Sequence, residues 1–270
     1  MFRNLKESVV SLDTGTVDYA VFGRGETPFV IIPGLSLRDV RGAGAGLAMM
    51  YRMFAKEYCV YVIDKKSRIP EGCTVADLAE DTAAAMRMLG LKDACVMGVS
   101  LGGMIAQELA VRHPELVKKL VLGVTASRTN DTMNTVVSQW ISFAEDGDFG
   151  GIVRNMMEVM YSPGYVKRYS WMFPILAKFA KPKNEERFIR LAKACLTCAS
   201  YDRLDAINCP TLVLGGAEDA IVTGEASLEI AEKIGCAVPL YEGLGHSAYE
   251  EAADFNIRVY EFLRDTGKCG

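Results

Sequence analysis

Ser100 stands between glycines in "GVSLGG" (98–103), the spacing that can hold a serine hydroxyl exposed on a sharp turn between a strand and a helix. Its chemistry would be nucleophilic attack on a carbonyl carbon. A serine at its ordinary pKa attacks poorly, so it needs a base for its proton and a third group to orient that base. The chain of 270 residues has two histidines, His113 and His246, as candidates for the base. His113 closes the helical stretch after Ser100, next to Pro114, and on that long helix it points away from the serine. His246 sits in "LYEGLGHSAYEE", a glycine-rich loop. The orienting acid is expected in "TLVLGGAEDAIV": Asp219, with Glu218 as the fallback. The competing reading makes Ser100 a polar residue opening a helix in a glycine-rich turn. With 25 glycines in the chain, the pentapeptide arises by accident in roughly one such chain in ten, so its setting has to decide.

The setting is an alternation of short apolar runs with helical stretches. "FVII" (29–32), "CVYVI" (59–63), "ACVM" (94–97), "KLVL" (119–122), "TLVLG" (211–215) and "AVPLY" (237–241) lack polar alternation, as strands buried on both faces do. Helical patterns fall at "GLAMMYRMFAKE", "LGGMIAQELAVRH", "AADFNIRVYEFLRD" and "TVADLAEDTAAAMRMLG", the last opened by a Thr74/Asp77 capping pattern and closed by Gly90. "VVSLDTGTVDYAVFG" (9–23) reads as an N-terminal antiparallel hairpin. The alternation predicts an α/β fold, a mostly parallel twisted sheet flanked by helices. Ser100, Asp219 and His246 each follow an apolar run, which puts all three at the C-terminal edge of the sheet, where open α/β folds bind ligands. Asp202 and Asp205 precede a run and fall at the wrong end.

Between about 126 and 206 the alternation stops. Amphipathic segments separated by "DGDFGG", "YSPGY", "FP" and "AKPKN" predict three or four helices inserted into a core formed by 1–125 and 207–270. The insertion is rich in large apolar residues, which pack its helices together. If it also caps the site, its underside lines an apolar pocket, with Trp140, Phe143, Met160 and Trp171 as candidates.

On "GVSLGG", "PTLVLGGAEDAIV" and "GLGHSAYEE", in that order and setting, the chain resembles the α/β-hydrolase superfamily, in its lidded serine-esterase type, over nearly its whole length outside the insertion. The order Ser, Asp, His is that of the superfamily. The resemblance implies an oxyanion hole from the backbone N–H groups of Leu101 and of Leu35 in "IIPGLS". It implies hydrolysis of an apolar, ester-like small molecule (ester, lactone or thioester) through an acyl-enzyme, with no cofactor and no metal. Serine at the turn disfavours the epoxide-hydrolase and dehalogenase branches, which need a carboxylate there. Two departures stand out: Pro33-Gly34 replaces the usual His-Gly, and "DKKSRIPEG" replaces the usual glycine-containing turn after the next strand. An acyltransferase, or a binding or receptor protein that retains the three residues, stays open as an alternative. The sequence leaves the oligomeric state open.

Composition removes other classes. A net charge of −4 and a pI near 5.4 argue against a nucleic-acid partner, and the longest basic run, "DKKSR", is short. No stretch approaches the ~18 apolar residues of a membrane span, and no apolar segment follows the charged N-terminus, so a cytoplasmic location is expected. The eight cysteines lie mostly in apolar runs, as reduced thiols do; "CLTC" (195–198) lacks the second pair that a zinc site needs. "RGAGAG" (41–46) is glycine-rich and opens a helix, with Asp64 about 20 residues on, as in dinucleotide folds. It begins too far past its strand for that role and reads as a loop near the site mouth.

Overall fold

The computed structural model describes residues 4–178 and 181–265. Its strands are β1 (Lys6–Leu12), β2 (Gly15–Gly23), β3 (Thr27–Ile32), β4 (Tyr58–Lys66), β5 (Ala94–Val99), β6 (Val117–Gly123), β7 (Thr211–Gly216) and β8 (Leu240–Tyr241). They form one sheet in the order β1-β2-β4-β3-β5-β6-β7-β8. β1 and β2 are an antiparallel hairpin, β2 meets β4 antiparallel, and every pairing from β4 to β8 is parallel.

The apolar runs are explained by a core on each face. Along β3, Val30 and Ile32 enter one core while Phe29 and Ile31 enter the other. The first core is covered by α2 (Val75–Met88), α3 (Leu101–Arg112) and α9 (Gly224–Ile234). The second is covered by α1 (Gly44–Met50) and α11 (Phe255–Arg264), with α10 (Ala248–Glu251) beside it. The expected capping box opens α2: Asp77 N–H donates to Thr74 Oγ1 (3.2 Å), and Thr74 N–H donates to the Asp77 carboxylate (2.9 Å). Chain direction across the sheet reverses between β3 and β5, so the crevice beyond their C-terminal ends is the topological switch point.

Three boundaries differ from the sequence reading. β4 continues past Ile63 to Lys66, with Asp64, Lys65 and Lys66 all buried. The last run shrinks to Leu240–Tyr241, because Pro239 has no N–H to add to the ladder, although Ala237 and Pro239 carbonyls still accept from β7. The stretch expected as one helix over 46–57 divides into α1 and a 3₁₀ turn at Phe54–Lys56.

Among the described residues, five helices rather than three or four lie between β6 and β7: α4 (Asp131–Glu145), α5 (Phe149–Met160), α6 (Pro163–Tyr169), α7 (Phe173–Lys178) and α8 (Glu185–Cys195). The two ends of the insertion are tied together. Arg128 bridges Ala199, and the Ser127 carbonyl accepts from Ser200 N–H (2.7 Å) and Tyr201 N–H (3.1 Å). The Cys195 and Cys198 thiols are buried there and donate to the carbonyls of Leu191 and Ala126, and burial pushes both pKa values up to about 12. Among the described residues no helix is long and apolar enough to cross a membrane.

Candidate active site

β5 ends in Val99, and Ser100 turns the chain directly into α3 with φ 54° and ψ −122°, a conformation that L residues rarely adopt. The turn is held from both sides: Ser100 N–H donates to Gly123 O (2.9 Å), and Thr125 Oγ1 donates to Ser100 O (2.7 Å). The flanking glycines are required by space. A Cβ on Gly98 would lie 2.2 Å from the Gly102 carbonyl oxygen, and one on Gly102 would lie 1.9 Å from that of Ile32.

The loop after β8 brings His246 to this serine, and the loop after β7 brings Asp219 to the histidine. His246 Nδ1 is 2.7 Å from Asp219 Oδ2, and His246 Nε2 is 2.9 Å from Ser100 Oγ. An ionised carboxylate only accepts, so Nδ1 carries the proton and Nε2 offers its lone pair to the serine hydroxyl. Asp219 Oδ1 accepts from the amides of Ile221 (2.8 Å) and Val222 (3.0 Å). Burial alone would raise the Asp219 pKa. The charge and hydrogen bond of His246 and the two amides outweigh it and hold the carboxyl below its usual range. Glu218, the fallback, is exposed and supplies only its backbone, donating to Leu244 O (3.0 Å). His113 lies at the far end of α3, between Arg87 and Glu80.

Two of these carboxylates make stability depend on acid. Asp219 is held down as described. Asp64 is too: burial raises it, but Lys65, Arg187 and the Val40 and Lys65 amides lower it further. A folded-state pKa below the unfolded value of about 3.9 stabilises the fold above that value, and the gain is lost as pH falls through it toward the folded value. Calorimetric Tm is therefore expected to drop steeply below about pH 4–5, with a shallower drop in Asp219→Asn. Parallel profiles for the two proteins would remove Asp219 from this account.

Leu101 N–H is the first amide of α3, directly after the serine. Leu35 follows Gly34, which packs on Ser100 so closely that a Cβ there would sit 3.2 Å from Ser100 Cβ. The two residues expected to supply oxyanion donors thus lie next to Ser100 and to Gly34, which packs on it. Among the described residues no group of three or more His, Cys, Asp or Glu side chains could hold a metal ion.

Comparison with known proteins agrees with this architecture. A family model described as the alpha/beta hydrolase fold matches residues 27–150. A crystal structure of MGS-M2, an alpha/beta hydrolase enzyme from a Medee basin deep-sea metagenome library, superposes with a TM-score of 0.84 at 20% identity, over 97% of this chain and 98% of the other. The chain has the α/β-hydrolase fold. In sequence it is 27% identical over 236 residues to "Putative non-heme haloperoxidase" of Mycobacterium phage D29, covering 84% of this chain and 83% of that protein. It is 22% identical over 231 residues to 3-oxoadipate enol-lactonase 2 of Acinetobacter baylyi, covering 82% of each.

The glycine-rich loop that resembled a nucleotide site is occupied by the hydrolase core itself. Glu7 accepts from Gly42 N–H (2.8 Å) and Gly44 N–H (2.7 Å), so a carboxylate already sits where a phosphate would. The four pocket candidates of the insertion separate. The Met160 backbone touches the histidine loop, its carbonyl accepting from Ser247 N–H (2.8 Å). Phe143 is half-buried against the first core. Trp140 is packed within that core, its indole N–H donating to Asn155 Oδ1 (2.7 Å). Trp171 departs from the expectation: it is 67% exposed, on a stretch where α6 and the Ser170–Met172 turn bury no side chain.

The sequence reading missed two kinds of residue here. Thr125 lies two residues past the end of β6 and carries no motif. Lys65 belongs to the departure "DKKSRIPEG", and its signal was a strand pattern running into charges without an intervening turn residue.

Proposed function

We propose that the protein is a serine hydrolase acting on a small carboxylic ester or related acyl compound, an ester, lactone or thioester, through an acyl-enzyme. The observation that carries this reading is one imidazole held between Ser100 Oγ at 2.9 Å and Asp219 at 2.7 Å. His246 takes the Ser100 proton as Oγ attacks the acyl carbon, and it returns that proton to the departing oxygen or sulfur. Asp219 fixes the tautomer and steadies the imidazolium. The developing oxyanion sits between the amides of Leu101 and Leu35, each worth about 3 kcal/mol of barrier. His246 then activates water to cleave the acyl-enzyme. Residues 126–206 act as a cap over this site, with Met160 at its inner edge. The enol-lactonase relative supports an acyl substrate of this kind.

A fluorophosphonate probe tests the reading. Stoichiometric labelling is expected, and peptide mapping should place the adduct on Ser100. Folded protein that stays unlabelled and turns over no member of an ester, lactone and thioester panel would leave only a binding role. Preferential transfer of the acyl group to an added alcohol or thiol would instead make it an acyltransferase.

A further inference from the structure

Lys65 is buried to 5% exposure near the end of β4, and its ammonium is not aimed at solvent or at the serine. Nζ donates to the carbonyls of Pro33 (2.9 Å) and Gly34 (2.8 Å), with Asp64 Oδ1 3.7 Å away. The Gly34 carbonyl and the Leu35 N–H belong to the same peptide unit. In a planar trans peptide these two groups point in opposite directions, and the chain has no cis peptide among its described residues. Holding the Gly34 oxygen toward Lys65 therefore holds the Leu35 N–H on the other side. Gly34 does not resist rotation of this unit by itself, because glycine permits almost any backbone angle.

We infer that Lys65 is a positioning residue that locks the Gly34–Leu35 peptide with its N–H directed into the oxyanion site. The inference rests on the serine-hydrolase reading above and supplies the anchor that the missing His-Gly pair leaves vacant. Burial pulls the Lys65 pKa down and Asp64 pulls it back up, but an amine keeps two N–H donors, so the clamp holds in either protonation state. The lysine is in turn braced by the insertion. Arg187 of α8, 8% exposed, donates to Asp64 Oδ1 (3.0 Å) and to the carbonyls of Lys65 (2.9 Å) and Lys66 (2.8 Å), and it pairs with Asp39 (2.9 Å). Asp64 Oδ2 accepts from Val40 N–H (2.9 Å), tying the far end of the same loop.

The test is Lys65→Met, which keeps the length and removes the donors. Ester kcat is expected to fall about 100-fold, as for loss of one oxyanion donor, with KM changed less than about threefold. Affinity for a trifluoromethyl ketone, whose serine adduct carries an oxyanion, should fall in parallel, while Tm confirms folding. Lys65→Gln, which keeps a shorter neutral donor, should lie between Met and wild type, and it takes the same measurements if the Met variant does not fold. A folded variant with kcat within about threefold of wild type, or with lower kcat but unchanged ketone affinity, would overturn the clamp. Wild type is assayed first: absence of Ser100-dependent turnover and labelling would sink the hydrolase reading itself, and the clamp with it.

Discussion

Ser100→Ala is expected to lower ester turnover by about five to six orders of magnitude while Tm stays within a few degrees of wild type. The size of the kinetic loss follows from the nucleophile and base acting as a unit: without Oγ, His246 has no proton to take and no acyl-enzyme forms. The small stability change follows from the hydroxyl's surroundings. Ser100 precedes α3 as its N-cap residue, yet its side chain makes no capping hydrogen bond and instead meets His246. The strained backbone, φ 54°, is the same for alanine, so no strain is released or added. Binding of a substrate analogue separates the remaining readings. Wild type and variant binding it equally, with turnover only in wild type, is the outcome of catalysis. Equal binding with no turnover in either is the outcome of a receptor, and it would refute the hydrolase assignment.

The convergence behind that result was legible because it depends on strand ends. An apolar run with no polar alternation announces a strand buried on both faces, and each loop after such a run opens on the same rim. Ser100, Asp219 and His246 could therefore be gathered from positions up to 146 residues apart without any contact information. The preference for Asp219 over Glu218 was legible only as a choice; burial of one and exposure of the other settles their placement. What stayed hidden depends on tertiary pairing. Asp64, Lys65 and Lys66 look like the solvated end of a strand, and they are buried because Arg187, more than 120 residues later, reaches back to Asp64 and to the Lys65 and Lys66 carbonyls. Trp171 looks like a pocket residue by type, but type does not reveal that the Ser170–Met172 turn leaves it 67% exposed. Short helices punctuated by "SPGY" and "FP" follow local stop signals, which periodicity blurs into fewer, longer elements.

Gly102→Ala is the second change with a large expected effect, and it acts through the frame rather than the chemistry. The added methyl would lie 1.9 Å from the Ile32 carbonyl oxygen, 2.6 Å from its carbon and 2.7 Å from the Pro33 oxygen. All three are backbone atoms, so relief requires α3 to move off β3, not a side chain to rotate. Overpacking of this kind costs about 3 kcal/mol, the upper end of the usual range, which for a chain of this size lowers Tm by about 6–12 °C. Gly103→Ala is the comparison: the three atoms nearest its methyl all belong to the Thr125 side chain, from 2.6 Å, and Thr125 can turn at the expense of its bond to Ser100 O. It should cost less stability than Gly102→Ala. The kinetic signature of Gly102→Ala follows from where the displacement falls. Leu101, directly before Gly102, and Leu35, two residues past Pro33, carry the two candidate oxyanion amides, so separating α3 from β3 widens the hole itself. A misplacement of about 1 Å costs roughly 100-fold in kcat, so the surviving folded fraction should be slow as well as scarce. A Gly102→Ala protein that melts with wild type and keeps full kcat would show that α3 and β3 do not approach this closely, and the two amides would then need another frame.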